Sequence, residues 1–211
     1  MSKKDDAARF VDDLKAYYPE AVCALEYGDS PYRLLIMARL SAQCTDARVN
    51  IVSESLFKKF PTLESFAEAE PAVLAAEIYS CGLHNSKARD IAAMCRTLIL
   101  EHGGIVPSGM DDLLNLPGVG RKIANLIRGD VFGLPAIVAD THCIRVANRL
   151  GLADSKDPAK VEKQLMALIE PAEQNDFCHR LIHLGREFCK SQNPRCEVCF
   201  LNEKCAARNL K

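Results

Sequence analysis

The sequence predicts an all-α protein, on three observations. Apolar residues recur at three- and four-residue spacing along nearly the whole chain, the period of a helix with one buried face. Proline, glycine and small polar residues interrupt that pattern at intervals of one short helix. The single β-like run, Ala136-Ile137-Val138-Ala139, is too short to carry a sheet. Roughly ten short helices are therefore expected at ordinary helix lengths.

The elements follow in order. Phe10, Leu14 and Tyr17 share one face of an N-terminal helix. Pro31 opens the next at a first-turn position, where its missing N–H is harmless, and Leu34, Leu35, Met37, Ala38 and Leu40 follow. Ser86 is expected to cap a helix bearing Ile91, Cys95, Leu98 and Ile99, closed by Gly103-Gly104. Ser108 and Asp111 have capping-box spacing, with Asp where Glu or Gln is usual, ahead of Leu113 and Leu114. The segment Leu116-Pro117-Gly118-Val119-Gly120-Arg121-Lys122 then turns the chain into a helix carrying Ile123, Ala124, Leu126 and Ile127. Asp140 precedes Thr141-His142 as an N-cap. Asp157-Pro158 starts a helix with Val161, Leu165 and Leu168 on one side, and Asp176 starts another with Phe177, Leu181, Leu184 and Phe188.

The 211 residues are 48% hydrophobic and 26% charged, the composition of an ordinary globular protein. No apolar run approaches the ~20 residues that span a bilayer, and no partnership with a membrane is expected. The opening Met1-Ser2-Lys3-Lys4-Asp5-Asp6 lacks the apolar core of a secretory signal. A cytoplasmic, nucleoid-associated monomer is the expectation. The net charge of −1 is unevenly spread. Residues 1–30 and 54–79 are each net −3, whereas 118–149 and 186–211 are each net +3. Two basic stretches suit a polyanion such as DNA, although charge also fluctuates along chains that bind nothing.

The hairpin carries the first chemical signal. Proline stops the preceding helix, and Gly118 and Gly120 allow positive φ and leave backbone N–H groups uncovered. Those groups, with Val119 and Arg121, lie at a helix N-terminus, where a phosphate oxygen binds well. A helix–hairpin–helix of this kind grips the DNA backbone without reading sequence; the plain alternative is a simple turn between helices. Lys122 adds to the signal. A cation in a first turn opposes the helix dipole, and that field with partial desolvation favours the neutral amine, the form that makes Schiff bases. Asp140 is the second element, because a capping carboxylate is also a fixed anion, which a developing oxocarbenium sugar needs nearby. Eighteen residues separate the two, about one helix and one turn.

Ten cysteines are present, six scattered and four clustered as Cys189, Cys196, Cys199 and Cys205. Local density of this kind points to a metal site in a reducing compartment rather than to a disulfide framework. Gaps of six, two and five residues let four thiolates converge on one centre. Spacing alone leaves zinc and an iron–sulfur cluster both open. With Pro194 and few apolar side chains, the loop is expected to take its folding energy from the metal. Lys190, Arg195, Lys204 and Arg208 then decorate it and could meet phosphates. His179 and His183, four apart, are read as packing residues.

At this point the chain resembles the helix-hairpin-helix–Gly/Pro/Asp superfamily of DNA glycosylases and, within it, the endonuclease III family. The resemblance rests on the hairpin with its lysine and on Val138-Ala139-Asp140-Thr141-His142. It rests also on Leu40-Ser41-Ala42-Gln43-Cys44-Thr45-Asp46, on Gly82-Leu83-His84-Asn85-Ser86-Lys87-Ala88 and on the spacing of the last four cysteines. It spans about residues 30 to 205. It implies that Lys122 is the nucleophile and Asp140 its electrostatic and acid–base partner. Gln43 would fill the gap left by an extruded nucleotide, Leu83 would wedge into the opposite strand, and the four cysteines would hold a 4Fe–4S cluster. His142, Lys190 and Arg195 join the hairpin residues as expected DNA contacts. The family removes oxidised pyrimidines and then nicks the strand by β-elimination at the abasic site. Its sister family of adenine-mismatch glycosylases lacks the hairpin lysine. The chain departs from the pattern at His84, where tyrosine is usual, at Cys44, where alanine is usual, and at Arg128-Gly129-Asp130, which interrupts a more apolar stretch.

The expected architecture is two helical domains flanking a DNA-binding cleft. Residues 24–134 form a six-helix domain with the helix-hairpin-helix; 1–23 and 135–211 form the cluster domain, its loop at 189–205. Two other functions fit parts of the sequence. An iron–sulfur electron carrier would have no use for Lys122, and a non-catalytic DNA-binding module would use the hairpin alone.

Overall fold

A computed structural model describes residues 2–208. Eleven α-helices form among them, and no strand does. They are α1 Lys3–Tyr17, α2 Pro31–Leu40, α3 Asp46–Lys59, α4 Leu63–Glu68, α5 Pro71–Glu77, α6 His84–His102, α7 Met110–Asn115, α8 Arg121–Asp130, α9 Thr141–Leu150, α10 Pro158–Leu168 and α11 Gln174–Glu187. A 3-10 turn, Tyr79–Cys81, leads into α6, and two more, Cys196–Val198 and Asn202–Lys204, lie in the cysteine-rich loop. No helix among the described residues is long and apolar enough to cross a membrane.

The chain divides into two compact units, Cys23–Phe132 and Met1–Val22 with Gly133–Lys211. The first is built on α6, whose buried stripe of Ala88, Ile91, Met94, Cys95 and Leu98 receives α4 and α5. Helix α2 is buried on nearly every side from Leu34 to Leu40 and packs against α3, α6 and α8. In the second unit α11 packs against α9 and α1, and α1 packs against α10. The run Ala136–Ala139 is buried without forming a strand, and the Val138 N–H donates to Cys178 Sγ at 3.3 Å.

Three helix starts differ from the sequence expectation. Helix α6 begins at His84, and its N-cap is Leu83 in the left-handed region, so the Ser86 hydroxyl donates back to the Leu83 carbonyl instead of capping. Helix α7 begins at Met110 after Gly109, without the Ser108–Asp111 box; the Ser108 carbonyl accepts from Arg128 instead. Helix α11 starts at Gln174, which leaves Asp176 in its first turn, ion-paired with Arg180. The caps at Asp140 and Asp157 form as expected, each accepting a backbone N–H three residues on.

Candidate functional site: a hairpin, two left-handed loops and a cysteine loop

The hairpin lies in the unit Cys23–Phe132. Helix α7 ends at Asn115, the Val119 N–H donates to the Leu116 carbonyl at 3.1 Å, and α8 begins at Arg121. The two glycines differ. Gly118 sits at φ +76, and a β-carbon there would stand 2.8 Å from Asp90 Cβ and 2.9 Å from Arg39 Nε. The turn thus rests directly on the Arg39–Asp90 ion pair, in which Nε and NH2 both donate to Oδ2, at 2.9 and 2.6 Å. Gly120 is extended, at φ −98, and nothing lies within 4 Å of a β-carbon placed on it. Gly120 does not use the positive φ open to a glycine; its lack of a side chain leaves the start of α8 uncovered, as expected. The first N–H groups of α8 have no helical partner of their own. Lys122 is exposed in that first turn.

Two further loops belong to the same unit. Among the described residues only three non-glycine residues have positive φ: Gln43 at 56°, Leu83 at 48° and Asn193 at 49°. Such backbone is disfavoured for side chains and is retained where surrounding structure enforces it, often at functional positions. Gln43 and Leu83 are both exposed, Leu83 at 52%. Gln43 follows the end of α2, and Leu83 precedes α6. Between them lies Lys87, whose side chain is completely buried. Its Nζ donates to the Leu40 carbonyl at 2.7 Å and to the Cys81 carbonyl at 2.8 Å. Burial pushes the Lys87 ammonium below its ordinary range. Cys44 and Cys81 are hydrogen-bonded to each other beside it, and burial with this contact raises Cys81 to about 11.

Asp140 and the cysteines belong to the other unit. Asp140 caps α9, its Oδ1 accepting from the Cys143 N–H at 2.7 Å. His142 lies in the first turn of that helix against Arg145, with NH2 and Nδ1 3.1 Å apart. Farther along α9, Arg145 and Arg149 grip the cysteine loop. Arg145 Nε donates to the Cys189 carbonyl at 3.0 Å, and Arg149 reaches the carbonyls of Lys190 at 2.6 Å and Ser191 at 3.1 Å. Arg149 NH1 also lies 3.4 Å from Cys189 Sγ. These two arginines had counted toward a free basic stretch; the structure uses them on loop carbonyls. Lys204 is likewise paired, with Asp13 at 2.6 Å, so it does not decorate the loop as a free cation. Lys190 and Arg195 are exposed, and the Arg195 guanidinium stands 5.9 Å from the centre of the Phe188 ring.

Cys189, Cys196, Cys199 and Cys205 line one cavity, together with Leu150, Leu184 and Leu201. Burial raises Cys199 and Cys205, and the neighbouring thiols raise each further. Four thiolates at this spot therefore require a cationic group to balance them. Among the described residues no three His, Cys, Asp or Glu side chains are grouped closely enough for a single metal ion. The loop is also better anchored than its composition suggests. Phe200 stacks on Tyr17 with ring centres 4.1 Å apart, and Leu201 is 1% exposed. His179 and His183 are packing residues as expected, with His183 lying 5.6 Å from the Tyr18 ring.

Sequence reasoning passed over Lys87, Arg145 and Arg149 as functional supports. Lys87 lies inside a polar motif whose lysine reads as a surface residue, and the arginines read as surface charge. The one available signal was position. Arg145 and Arg149 are four apart on one helix face, and Lys87 is one turn beyond Leu83.

A family model described as HhH-GPD superfamily base excision DNA repair protein matches residues 36–171. Endonuclease III of Synechocystis sp. is 40% identical over 205 residues, which cover 97% of this chain and 93% of that protein. Endonuclease III of Bacillus subtilis is 41% identical over 92% of this chain and 89% of its own. Among solved structures, a trapped endonuclease III–DNA covalent intermediate, an estranged-adenine complex, matches with a TM-score of 0.91 at 41% identity, covering 98% of this chain and 97% of that one.

Proposed function

The chain belongs to the HhH-GPD superfamily of base excision DNA repair proteins and, within it, to the endonuclease III family, and we propose that it is a bifunctional DNA glycosylase and abasic-site lyase for oxidised pyrimidines. The observation that carries this reading is Lys122, exposed in the first turn of α8 immediately after the open, phosphate-gripping turn at Gly118–Gly120. A relative with 41% identity was captured as a covalent DNA intermediate, which agrees with a nucleophilic amine.

The chemistry follows from the groups present. A base cannot be reached inside a stacked duplex, so the damaged nucleotide is flipped out, and weak pairing at damage lowers that cost. Backbone N–H groups at the start of α8 hold a phosphate, with Gly118, Val119, Gly120 and Arg121 forming the turn. Gln43 occupies the vacated space and Leu83 enters the opposing strand. His142, Lys190 and Arg195 add polar and cationic contacts. Lys122, as the free amine, bonds to C1′, and the C1′–N bond breaks with its electron pair leaving on the base, which takes up a proton. Asp140 accepts the proton from Lys122 and stabilises the positive sugar. Ring opening gives a Schiff base that acidifies the C2′ proton, and loss of that proton expels the 3′ phosphate.

Cys189, Cys196, Cys199 and Cys205 would hold the family's 4Fe–4S cluster. The donor set fits, with four thiols around one cavity that is walled by leucines and braced by Arg149. When bound, the cluster supplies charge balance and cross-linking of the loop. The reading places the protein in the cytoplasm with the chromosome, acting as a monomer.

The test is a duplex oligonucleotide with thymine glycol or an abasic site, incubated with protein and then reduced with borohydride. The expected result is a stable protein–DNA adduct that is absent with Lys122→Gln. Base release without an adduct, or an adduct that survives Lys122→Gln, overturns the lysine mechanism.

A further inference from the structure

Gln43 and Leu83 lie on separate loops, forty residues apart in sequence, yet the proposed extrusion step needs both to enter one duplex together. Each is exposed and each has left-handed backbone, so neither conformation is one its residue prefers. Something must hold both. The Leu40 carbonyl ends α2, three residues before Gln43, and the Cys81 carbonyl ends the 3-10 turn, two residues before Leu83. Terminal carbonyls of helical elements lack helical donors and carry the negative end of the dipole. One buried ammonium, Lys87 Nζ, donates to both, at 2.7 and 2.8 Å.

We propose that Lys87 is a positioning residue for nucleotide extrusion, bridging the Leu40 and Cys81 carbonyls so that Gln43 and Leu83 are presented to DNA at a fixed separation. This rests on the reading given above, in which those two side chains enter the duplex. A charge buried this completely is unfavourable unless fully hydrogen-bonded, and an apolar side chain of similar length fills the same space without desolvating an ion. What the apolar side chain lacks is the link between the two loops. The Leu83 loop has its own local hydrogen bonds, Gly82 N–H to the Tyr79 carbonyl at 3.1 Å and the Ser86 hydroxyl to the Leu83 carbonyl at 3.0 Å, but neither reaches the Gln43 loop as Lys87 does.

The test compares wild type, Lys87→Met, Lys87→Gln and Lys87→Arg on two substrates. One is a duplex with thymine glycol, which must be extruded; the other is a single strand with an abasic site, which has no opposing strand and no base to extrude. Single-turnover base release is measured on the first and borohydride trapping on both. An adjacent 2-aminopurine in the duplex reports unstacking by its fluorescence, and a thermal melt reports folding. The expected result with Lys87→Met and Lys87→Gln is duplex base release slowed about 10- to 100-fold, the scale of a misplaced supporting group. The fluorescence rise is reduced in proportion, while single-strand trapping stays within about twofold and Lys87→Arg recovers most of the duplex rate. Equal losses on both substrates, a duplex rate that does not change, or variants that do not fold overturn the proposal, because Lys87 then supports the unit rather than the aim of its loops. No adduct with wild type on either substrate overturns the glycosylase–lyase reading itself, and this inference with it.

Discussion

At the scale of single residues, one substitution separates the cap that Asp140 forms from the catalytic charge proposed for it. Its Oδ1 caps α9 through the Cys143 N–H at 2.7 Å, and its charge is assigned to the sugar cation. Asparagine caps as well as aspartate, so Asp140→Asn should change stability by less than about 0.5 kcal/mol. The same change removes the negative charge, and base release should fall about 100-fold, the usual scale for losing one electrostatic group at a reacting centre. Thermal melts beside single-turnover assays check both halves. A variant that melts early, or one that keeps full activity, contradicts the dual role. Asp140 was legible in the sequence because capping is local chemistry: a short polar side chain before a helical pattern has few other uses. Lys87 was not legible, because its burial depends on two carbonyls brought in from distant segments. Which glycine of the Gly-x-Gly pair makes the turn was not legible either, since both allow positive φ and only Gly118 uses it.

At the scale of elements, the helices were read from their period and most of their starts from their caps. The period held throughout, but three starts moved. Helix α6 moved because Gly82 and Leu83 bring the chain in through positive φ, a route that leaves no role for a serine cap. One inter-helix contact carries a pH signature. Glu173 accepts from Lys15 of α1 at 2.7 Å and from Arg180 of α11 at 3.2 Å. The Lys15 hydrogen bond, followed by Arg180, holds its carboxyl below the ordinary 4.5. A lowered carboxyl stabilises fully above its unfolded value, and that contribution disappears as pH falls through the folded value. Glu173→Gln should therefore melt earlier than wild type at about pH 7, with the gap closing by about pH 3. A gap independent of pH excludes the ionic contact as its source.

The cysteine loop belongs to the same scale. Its sequence said that a metal was needed but not how the loop would be held without one. Phe200 on Tyr17 and the Arg149 clamp supply anchors from outside the loop. Protein purified without oxygen should carry about four irons per chain and a broad visible absorption band. Cys199→Ser should lose both and raise amide exchange across 189–205 while leaving 23–132 unchanged. Zinc in stoichiometric amount, with no visible band, contradicts the cluster assignment.

At the scale of the whole molecule, charge composition said least. The chain is close to neutral, and part of its basic stretch is engaged internally, as Arg145, Arg149 and Lys204 show. The motifs said most, because each combines residue types that a helical core alone does not require: a lysine after a glycine turn, a polar loop with Gln43, an exposed leucine, four clustered cysteines. They lie on segments that the fold distributes over two units. The most direct test is to digest the borohydride-reduced adduct and locate the modified residue by mass spectrometry. The account predicts the reduced deoxyribose remnant on the ε-nitrogen of Lys122, in the peptide that opens α8. A remnant on the N-terminal amine or on any other lysine contradicts it.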